Sequence, residues 1–318
     1  MIAYAAQRLV FVVFILVAMS LLVFAAIYAL PGNTAAIMLG QFATPDSLAA
    51  MEAKMGLNDN FFVQYWRWAS AFATGDLGQS MVMERPVAPI LWDAMAKSTI
   101  LAAASLFFVA VIGIVLGVVA AVRRGRPIDG AIAIFTYLGI SVPEFFWGIV
   151  LILVFASWFD LLPTMGYASL SDGIGPFLAH LVLPVVTLTL TLIAHVSRMT
   201  RSSMLEVLQS NYVRAARARG LPERRVLRHH ALRNGLLPSI TVLAQDFGWL
   251  IGSIVVIETV FAYPGVGRLL IFAIQRQDIP VVLAVILVIT AVYALANLAA
   301  DLMYAYLNPR IRYGRSVG

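Results

Sequence analysis

Two acids stand inside otherwise apolar runs of the chain: Glu144, in Ser141-Val142-Pro143-Glu144-Phe145, and Asp246, in Gln245-Asp246-Phe247. An ionisable side chain among apolar neighbours is costly, so a sequence that keeps one marks a solute path or a paired contact. Pro143 interrupts its helix and frees carbonyls that could face a cavity beside Glu144. Glu144 therefore reads either as a pathway acid or as the structural partner of a group on another subunit. Asp246, next to Gln245, reads either as a cavity acid meeting a peptide amine or a metal, or as a satisfied helix–helix contact. His180 and His195 fall near the ends of one apolar run and read as interfacial residues rather than metal ligands. Trp147 and Trp249 read as packing residues.

Bond-making chemistry finds no residues to carry it. A phosphate loop needs Gly-Lys followed by Ser or Thr, and the only lysines, Lys54 and Lys97, each follow an alanine. The pattern His-Glu-x-x-His is absent, and the adjacent His229 and His230 point from different helix faces. No Gly-x-Ser-x-Gly elbow occurs. With no cysteine there is no disulfide, thiolate site or cysteine nucleophile. The chain reads as a conduit whose energy comes from elsewhere.

The elements that must position these residues are set by composition. Of 318 residues, 61% are hydrophobic and 12% charged, where a soluble chain runs about 45–50% apolar and about 25% charged. Crossing a bilayer takes roughly 20 apolar residues. Six runs qualify: Leu9–Leu30, Ser98–Val122, Asp129 to about Phe159, Gly173–Ser197, Gly235–Ile257 and Val281–Ala300. The first is longer than a signal-peptide core and lacks a small-x-small cleavage site, so it reads as an uncleaved span. Sixteen of the 22 basic residues fall on one face of the six-span arrangement, nine of them as arginines between spans four and five. By the bias of basic residues toward the cytoplasm, both termini are cytoplasmic. The net charge of +6 is thus topological and gives no reason to invoke nucleic acid.

Three connections carry content. The 67 residues from Pro31 to Lys97 are too polar to cross and fall outside. There, Asp46 is expected to cap a helix over Ser47–Met55 that Gly56 ends. The aromatic run from Phe61 to Trp68 suits the membrane interface, and is read as either a lid on the outer mouth or a contact for a delivery partner. The loop from Arg198 to Asn234 predicts two helices, Met204–Arg219 and Glu223–Arg233, separated by Gly220-Leu221-Pro222. Ala215, Ala216 and Ala218 give it a low-relief surface rimmed by arginines, which a partner protein or an anionic lipid face could meet. After span five, the Pro-Gly-x-Gly core of Pro264-Gly265-Val266-Gly267 predicts a tight turn.

These segments carry a resemblance. Tyr212-Val213-Arg214-Ala215-Ala216-Arg217-Ala218-Arg219-Gly220-Leu221, followed by His230-Ala231-Leu232-Arg233-Asn234-Gly235-Leu236-Leu237-Pro238, resembles the EAA loop of ABC importer permeases, and within them the peptide/nickel/opine subfamily. Glu258-Thr259-Val260-Phe261-Ala262-Tyr263-Pro264-Gly265-Val266-Gly267, Gly75-Asp76-Leu77-Gly78-Gln79-Ser80, Gly125 after Arg123-Arg124, and Asn308-Pro309-Arg310-Ile311-Arg312-Tyr313 are similar to further signatures of it. The broad motif has Glu where this chain has Arg214, and the subfamily often has Thr in place of Ala215, so the groove it meets must differ in charge. The resemblance implies an all-α integral membrane protein with six transmembrane helices and a type I ABC importer (MetI-like) permease fold, with a long first extracytoplasmic segment. Residues 1–97 would form the first helix and that segment, and residues 98–318 a five-helix core with the coupling loop at about 198–237. It further implies a second homologous permease subunit, usually in a heterodimer, two cytoplasmic ATPase subunits that use ATP and Mg, and an extracytoplasmic substrate-binding protein. This chain binds no cofactor itself. Tyr212, Arg214, Ala215, Ala216, Arg217, Gly220 and Leu221 are the implied ATPase-coupling residues. The expected cargo is a di- or oligopeptide, with nickel chelates, opines and other small solutes as rivals. A stand-alone secondary transporter or channel would leave the loop unexplained.

Overall fold

The computed structural model describes residues 2–29, 44–55 and 58–307. The outer end of the first span, Gly56 as a helix stop and the terminal 308–313 signature lie outside the described residues. In chain order the helices are α1 (Ile2–Tyr28), α2 (Pro45–Met55), α3 (Phe61–Ala73), α4 (Val87–Val122), α5 (Pro127–Ser141) and α6 (Glu144–Leu151). They continue as α7 (Ile174–Leu208), α8 (Asn211–Ala218), α9 (Leu237–Val260), α10 (Val266–Gln275) and α11 (Ile279–Leu307). Among the described residues, pairing of extended chain is confined to one bridge between Gln79 and Pro86.

Among the described residues, five helices, α1, α4, α7, α9 and α11, are long and apolar enough to cross a membrane. The pair α5–α6, bent by 104°, makes a sixth when taken as one broken span. The break is local chemistry: Val142 is extended ahead of Pro143, whose ring cannot continue the helix, and α6 restarts at Glu144. α6 then widens into a π-helical stretch, Ile152–Trp158.

Helices outrun hydropathy at several ends. α4 begins at Val87, well before the apolar run, because Asp93 and Lys97 end an apolar stretch without ending a helix. α7 likewise continues through Arg198 and Arg201 to Leu208. The first half of the coupling loop therefore starts at Asn211, and Met204 belongs to the span. α2 is capped by Thr44 rather than Asp46: Ser47 N donates to Thr44 Oγ1 at 3.3 Å, and Thr44 N to Ser47 Oγ at 2.9 Å.

Contacts divide the chain into two compact units. The larger contains Ala96–Arg268. Its core is Leu101 and Val109 of α4, Leu188, Leu192 and Val196 of α7, and Leu250, Ile254 and Ile257 of α9. Small residues bring two of these helices together. A Cβ on Gly113 would lie 2.9 Å from Val196 Cβ, and one on Gly117 would lie 2.5 Å from Thr200 Cβ and 2.6 Å from the Ser197 carbonyl. Gly113-x-x-x-Gly117 thus lets α4 approach the α7 backbone, as small residues do where apolar attraction cannot drive packing.

The smaller unit contains Ala6–Met95 and Leu269–Ala294. There the Phe24 ring of α1 packs on Phe61, Tyr65 and Trp68 of α3, and Ser20 bonds the Tyr65 hydroxyl at 2.8 Å. Asp278, fully buried before α11, accepts from the Ser80 hydroxyl at 2.5 Å and from the amides of Met81 and Val82 at 3.1 and 3.3 Å. That carboxylate pins the turn that follows the Gly75–Ser80 signature.

Candidate functional site

The coupling loop builds its own small core. Val213 and Ala216, three apart on α8, are buried against Val226, with Val207 and Leu221 packed around them. Ala216 therefore faces the inside of the loop, and the low-relief outer surface expected from three alanines narrows to Ala215 and Ala218, both exposed. Gly220 takes φ +77° to turn the chain after α8, a conformation that costs a residue with a Cβ. Pro222 then caps the short helix Glu223–Arg225, which passes into a π-helical turn, Val226–Ala231.

Two polar staples close this loop. Arg217 donates twice to Glu223, at 3.0 and 2.6 Å, across the Gly220 turn. That bond holds the Glu223 carboxyl below its usual range and raises the Arg217 guanidinium further. Asn234 donates to the Tyr212 hydroxyl at 3.1 Å, tying α8 to the approach of α9. Of the residues singled out by sequence, Tyr212, Ala216 and Arg217 thus shape the loop. Arg214, Ala215 and Gly220 are exposed, and Leu221 is half-buried.

Sequence reasoning missed how α7, the span that leads into the loop, is held to α5. Arg201, near the end of α7, grips Asp129 of α5 through two bonds of 2.7 and 2.9 Å. The Gly125 amide adds a third bond to Asp129 at 3.0 Å. Nothing in the sequence singles this pair out, because Arg123, Arg124 and Arg126 all stand nearer to Asp129 along the chain than Arg201 does.

The intramembrane acids line one face of α9 without touching. Asp246 is buried, and its Oδ1 lies 3.5 Å from His195 Nδ1 of α7, while its Oδ2 is buried without a partner. Trp249, one turn on, is 48% exposed with its ring 6.4 Å from His195. Glu144, at the start of α6, has Ser253 of α9 beside it and keeps Oε2 buried and unpartnered. Asp246 and Ser253 are seven residues apart, which is roughly 10 Å along one helix face. Gln245 is exposed, a helical step away from that face. Trp147 Nε1 is also buried without a partner.

The Pro-Gly-x-Gly turn proves to be organised by a carboxylate. Glu258, fully buried at the end of α9, accepts from the Ser98 hydroxyl at 2.5 Å and from the amides of Gly267 and Arg268 at 2.7 and 3.3 Å. Ser98 in turn accepts from Val266 N at 2.8 Å. A Cβ on Gly265 would lie 2.0 Å from Glu258 Oε1, so only glycine leaves room for this contact.

Apolar helices with a broken span, two acids that each keep one buried unpartnered oxygen, and a stapled basic loop define a membrane-embedded helical protein. Comparison with known proteins supplies the family. Residues 113–313 match the binding-protein-dependent transport system inner membrane component, and residues 1–102 match the N-terminal model for membrane components of such systems. The chain belongs to this family. It is 38% identical over 310 residues to a probable peptide ABC transporter permease of Sinorhizobium fredii, covering 98% of this chain and 99% of the relative. It is 35% identical over 333 residues to a dipeptide transport system permease of Alkalihalophilus pseudofirmus, covering 98% of this chain and 100% of that one. With a glutathione transport system permease of Escherichia coli K12 the identity is 36% over 313 residues, covering 98% and 100%. Among solved structures, a methionine ABC transporter in inward-facing conformations shares the fold, with a TM-score of 0.55 at 20% identity, over 69% of this chain and 96% of that one. The chain is therefore a multi-pass inner-membrane permease component of a binding-protein-dependent ABC importer, a non-catalytic part of a machine that includes ATPase and substrate-binding partners.

Proposed function

We propose that this chain is one of two homologous permease subunits, paired as a heterodimer, of an importer that moves di- or oligopeptides into the cytoplasm. Two ATPase subunits hydrolyse ATP with Mg and dock on the coupling loops, one of them on residues 198–237 of this chain. A binding protein delivers cargo to the outer side, where residues 31–97 lie, and both termini are cytoplasmic. Residues 1–97 form the first transmembrane helix and the extracytoplasmic segment, and residues 98–318 the five-helix core with the coupling loop.

The loop is the observation that carries this reading. It is a small compact element with its own core and staples, placed in sequence directly between α7 and α9. A push on it reaches two spans, and closure of the ATPases then selects between two packings of those spans. Arg214, Ala215, Gly220 and Leu221 meet the ATPase groove, while Tyr212, Ala216 and Arg217 hold the loop in shape. Asp246, Gln245 and Glu144 belong to the solute path, where unpaired carboxylate oxygens suit the amine of a peptide. Peptide cargo is supported by the names of the relatives above.

The test is co-purification with a Gly220→Trp variant. The wild-type chain is expected to bring down an ATPase stoichiometrically, and the variant to lose it or to uncouple ATP hydrolysis from uptake. Wild-type transport by the variant refutes the docking surface. Homomeric, ATPase-free chain with ion-driven uptake refutes the importer reading.

A further inference from the structure

The helix α3 presents more apolar surface than the first span covers. At 3.6 residues per turn, Phe61, Tyr65, Trp68 and Phe72 fall within a sector of roughly 60°. Through Phe61, Tyr65 and Trp68 that sector packs on Phe24 of α1. Phe62 and Trp66 lie roughly 120° around from it, and they are 71% and 73% exposed, with Val63 exposed beside them. The polar groups gather at a different edge, where Arg67 pairs with Asp59 at 2.5 Å and Gln64 donates to the Asp59 carbonyl at 2.8 Å. The helix is firmly started, since Asn60 Oδ1 accepts from Phe62 N at 3.1 Å. The bare aromatic face is thus a stable feature of a well-formed helix.

Its level along α1 decides what covers it. Phe61 meets Tyr28 and Phe24, and Tyr65 meets Phe24 and Ser20. Phe24 and Ser20 lie about 6 and 12 Å back from Tyr28 along the span at 1.5 Å per residue. The apolar run of α1 continues beyond Tyr28 to Leu30. α3 is therefore held beside the last apolar turns of a spanning helix, at a depth where interfacial helices bury their apolar faces about 5–10 Å into the headgroup–acyl boundary. Phe14, Val17, Leu21 and Leu22 of α1 are themselves exposed, so the helix that α3 packs on also carries bare apolar surface.

We propose that the Phe62/Trp66 face of α3 is a lipid-binding face: the helix is a monotopic anchor seated in the leaflet where α1 ends, the outer one in the orientation proposed above. Phe62, Val63 and Trp66 enter the acyl boundary, and the Asp59–Arg67 pair faces the headgroups and water. The segment after the first span is then neither a lid standing free of the membrane nor, on this face, a contact for a delivery partner.

The absence of native cysteine makes the test direct. Single substitutions Phe62→Cys, Trp66→Cys and, as a water-facing reference, Asn58→Cys are spin-labelled in the full transporter, with cysteine-free partner subunits, in phosphatidylcholine/phosphatidylglycerol liposomes. Labels at 62 and 66 are expected to relax strongly with oxygen and weakly with a water-soluble nickel chelate, with the order reversed at 58. Nickel-dominated relaxation at 62 and 66 overturns the proposal in favour of an aqueous face, and shielding from both reagents overturns it in favour of a protein partner. Brominated-lipid quenching gives a reading without labels. Trp66→Phe should reduce the lipid-quenchable fluorescence, and an unchanged quenchable fraction overturns the proposal even if the cysteine variants fail to fold.

Discussion

Adding one methyl group at Gly265 should break the turn after α9 through a residue it does not replace. Gly265 itself has no unusual backbone angle, so alanine brings no dihedral strain. Its Cβ would instead lie 2.0 Å from Glu258 Oε1, 2.2 Å from Cδ and 2.5 Å from Oε2, distances no side-chain packing tolerates. The carboxylate must leave, giving up its bonds to Ser98 and Gly267. Hydrogen bonds to a charged acceptor contribute about 1.5–3 kcal/mol each, so losing two costs roughly 3–6 kcal/mol. Gly125→Ala is the control: nothing stands within 4 Å of its Cβ, and φ is +75°, so only backbone strain acts, about 1–2 kcal/mol. Heating the detergent-purified complex and following the monodisperse peak by size exclusion should rank wild type above Gly125→Ala, and Gly125→Ala above Gly265→Ala. A double-mutant cycle isolates the cause. In a Glu258→Ala background the new methyl meets empty space, so Gly265→Ala should add little further loss. Equal melting of Gly265→Ala and wild type, or full additivity with Glu258→Ala, would refute the carboxylate account.

Three further outcomes follow from the same geometry. Ala215→Trp should leave the loop folded while abolishing ATPase co-purification, whereas Ala216→Trp should unfold the loop, seen as protease sensitivity between residues 207 and 226, because it fills the space beside Val213 and Val226. Arg201→Ala removes both bonds to Asp129 from a pair whose arginine is 36% exposed, at a cost of about 1 kcal/mol in thermal stability, and Asp129→Asn in the same chain should recover part of it. Glu223 has its pKa lowered from 4.5, so the stabilisation it brings is complete above 4.5 and is lost as pH falls through the lower folded value. Protection factors across residues 211–226, which remove the intrinsic pH dependence of amide exchange, should therefore fall at acid pH, and Glu223→Gln should remove that fall.

Hydropathy made the spans legible because the bilayer imposes a length on apolar runs, and among the described residues each run is mostly helical, with the third broken at Pro143. Where charge interrupts an apolar run without interrupting a helix, as at Lys97 and Arg198, the boundaries moved. The inward turn of Ala216 was readable in principle, since Val213 and Ala216 share a helix face and Val226 waits after Pro222. Composition drew attention to three alanines, whereas periodicity sorts them into one inside and two outside. The carboxylate clamps were not readable at all. Ser98 and Glu258 are 160 positions apart, and Arg201 and Asp129 are 72 apart. No local pattern announces such pairs.

The Ser80–Asp278 clamp spans 198 positions of sequence. A ribosome adding about 5–20 residues per second needs roughly 10–40 s to cover that interval. Throughout it, the turn after the first span has left the translation machinery with its hydroxyl and two amides still awaiting their acceptor. The N-terminal quarter of the protein is thus born incomplete. Its maturation is timed by the arrival of the last helix, which makes that interval a window in which a chaperone or a protease could intervene.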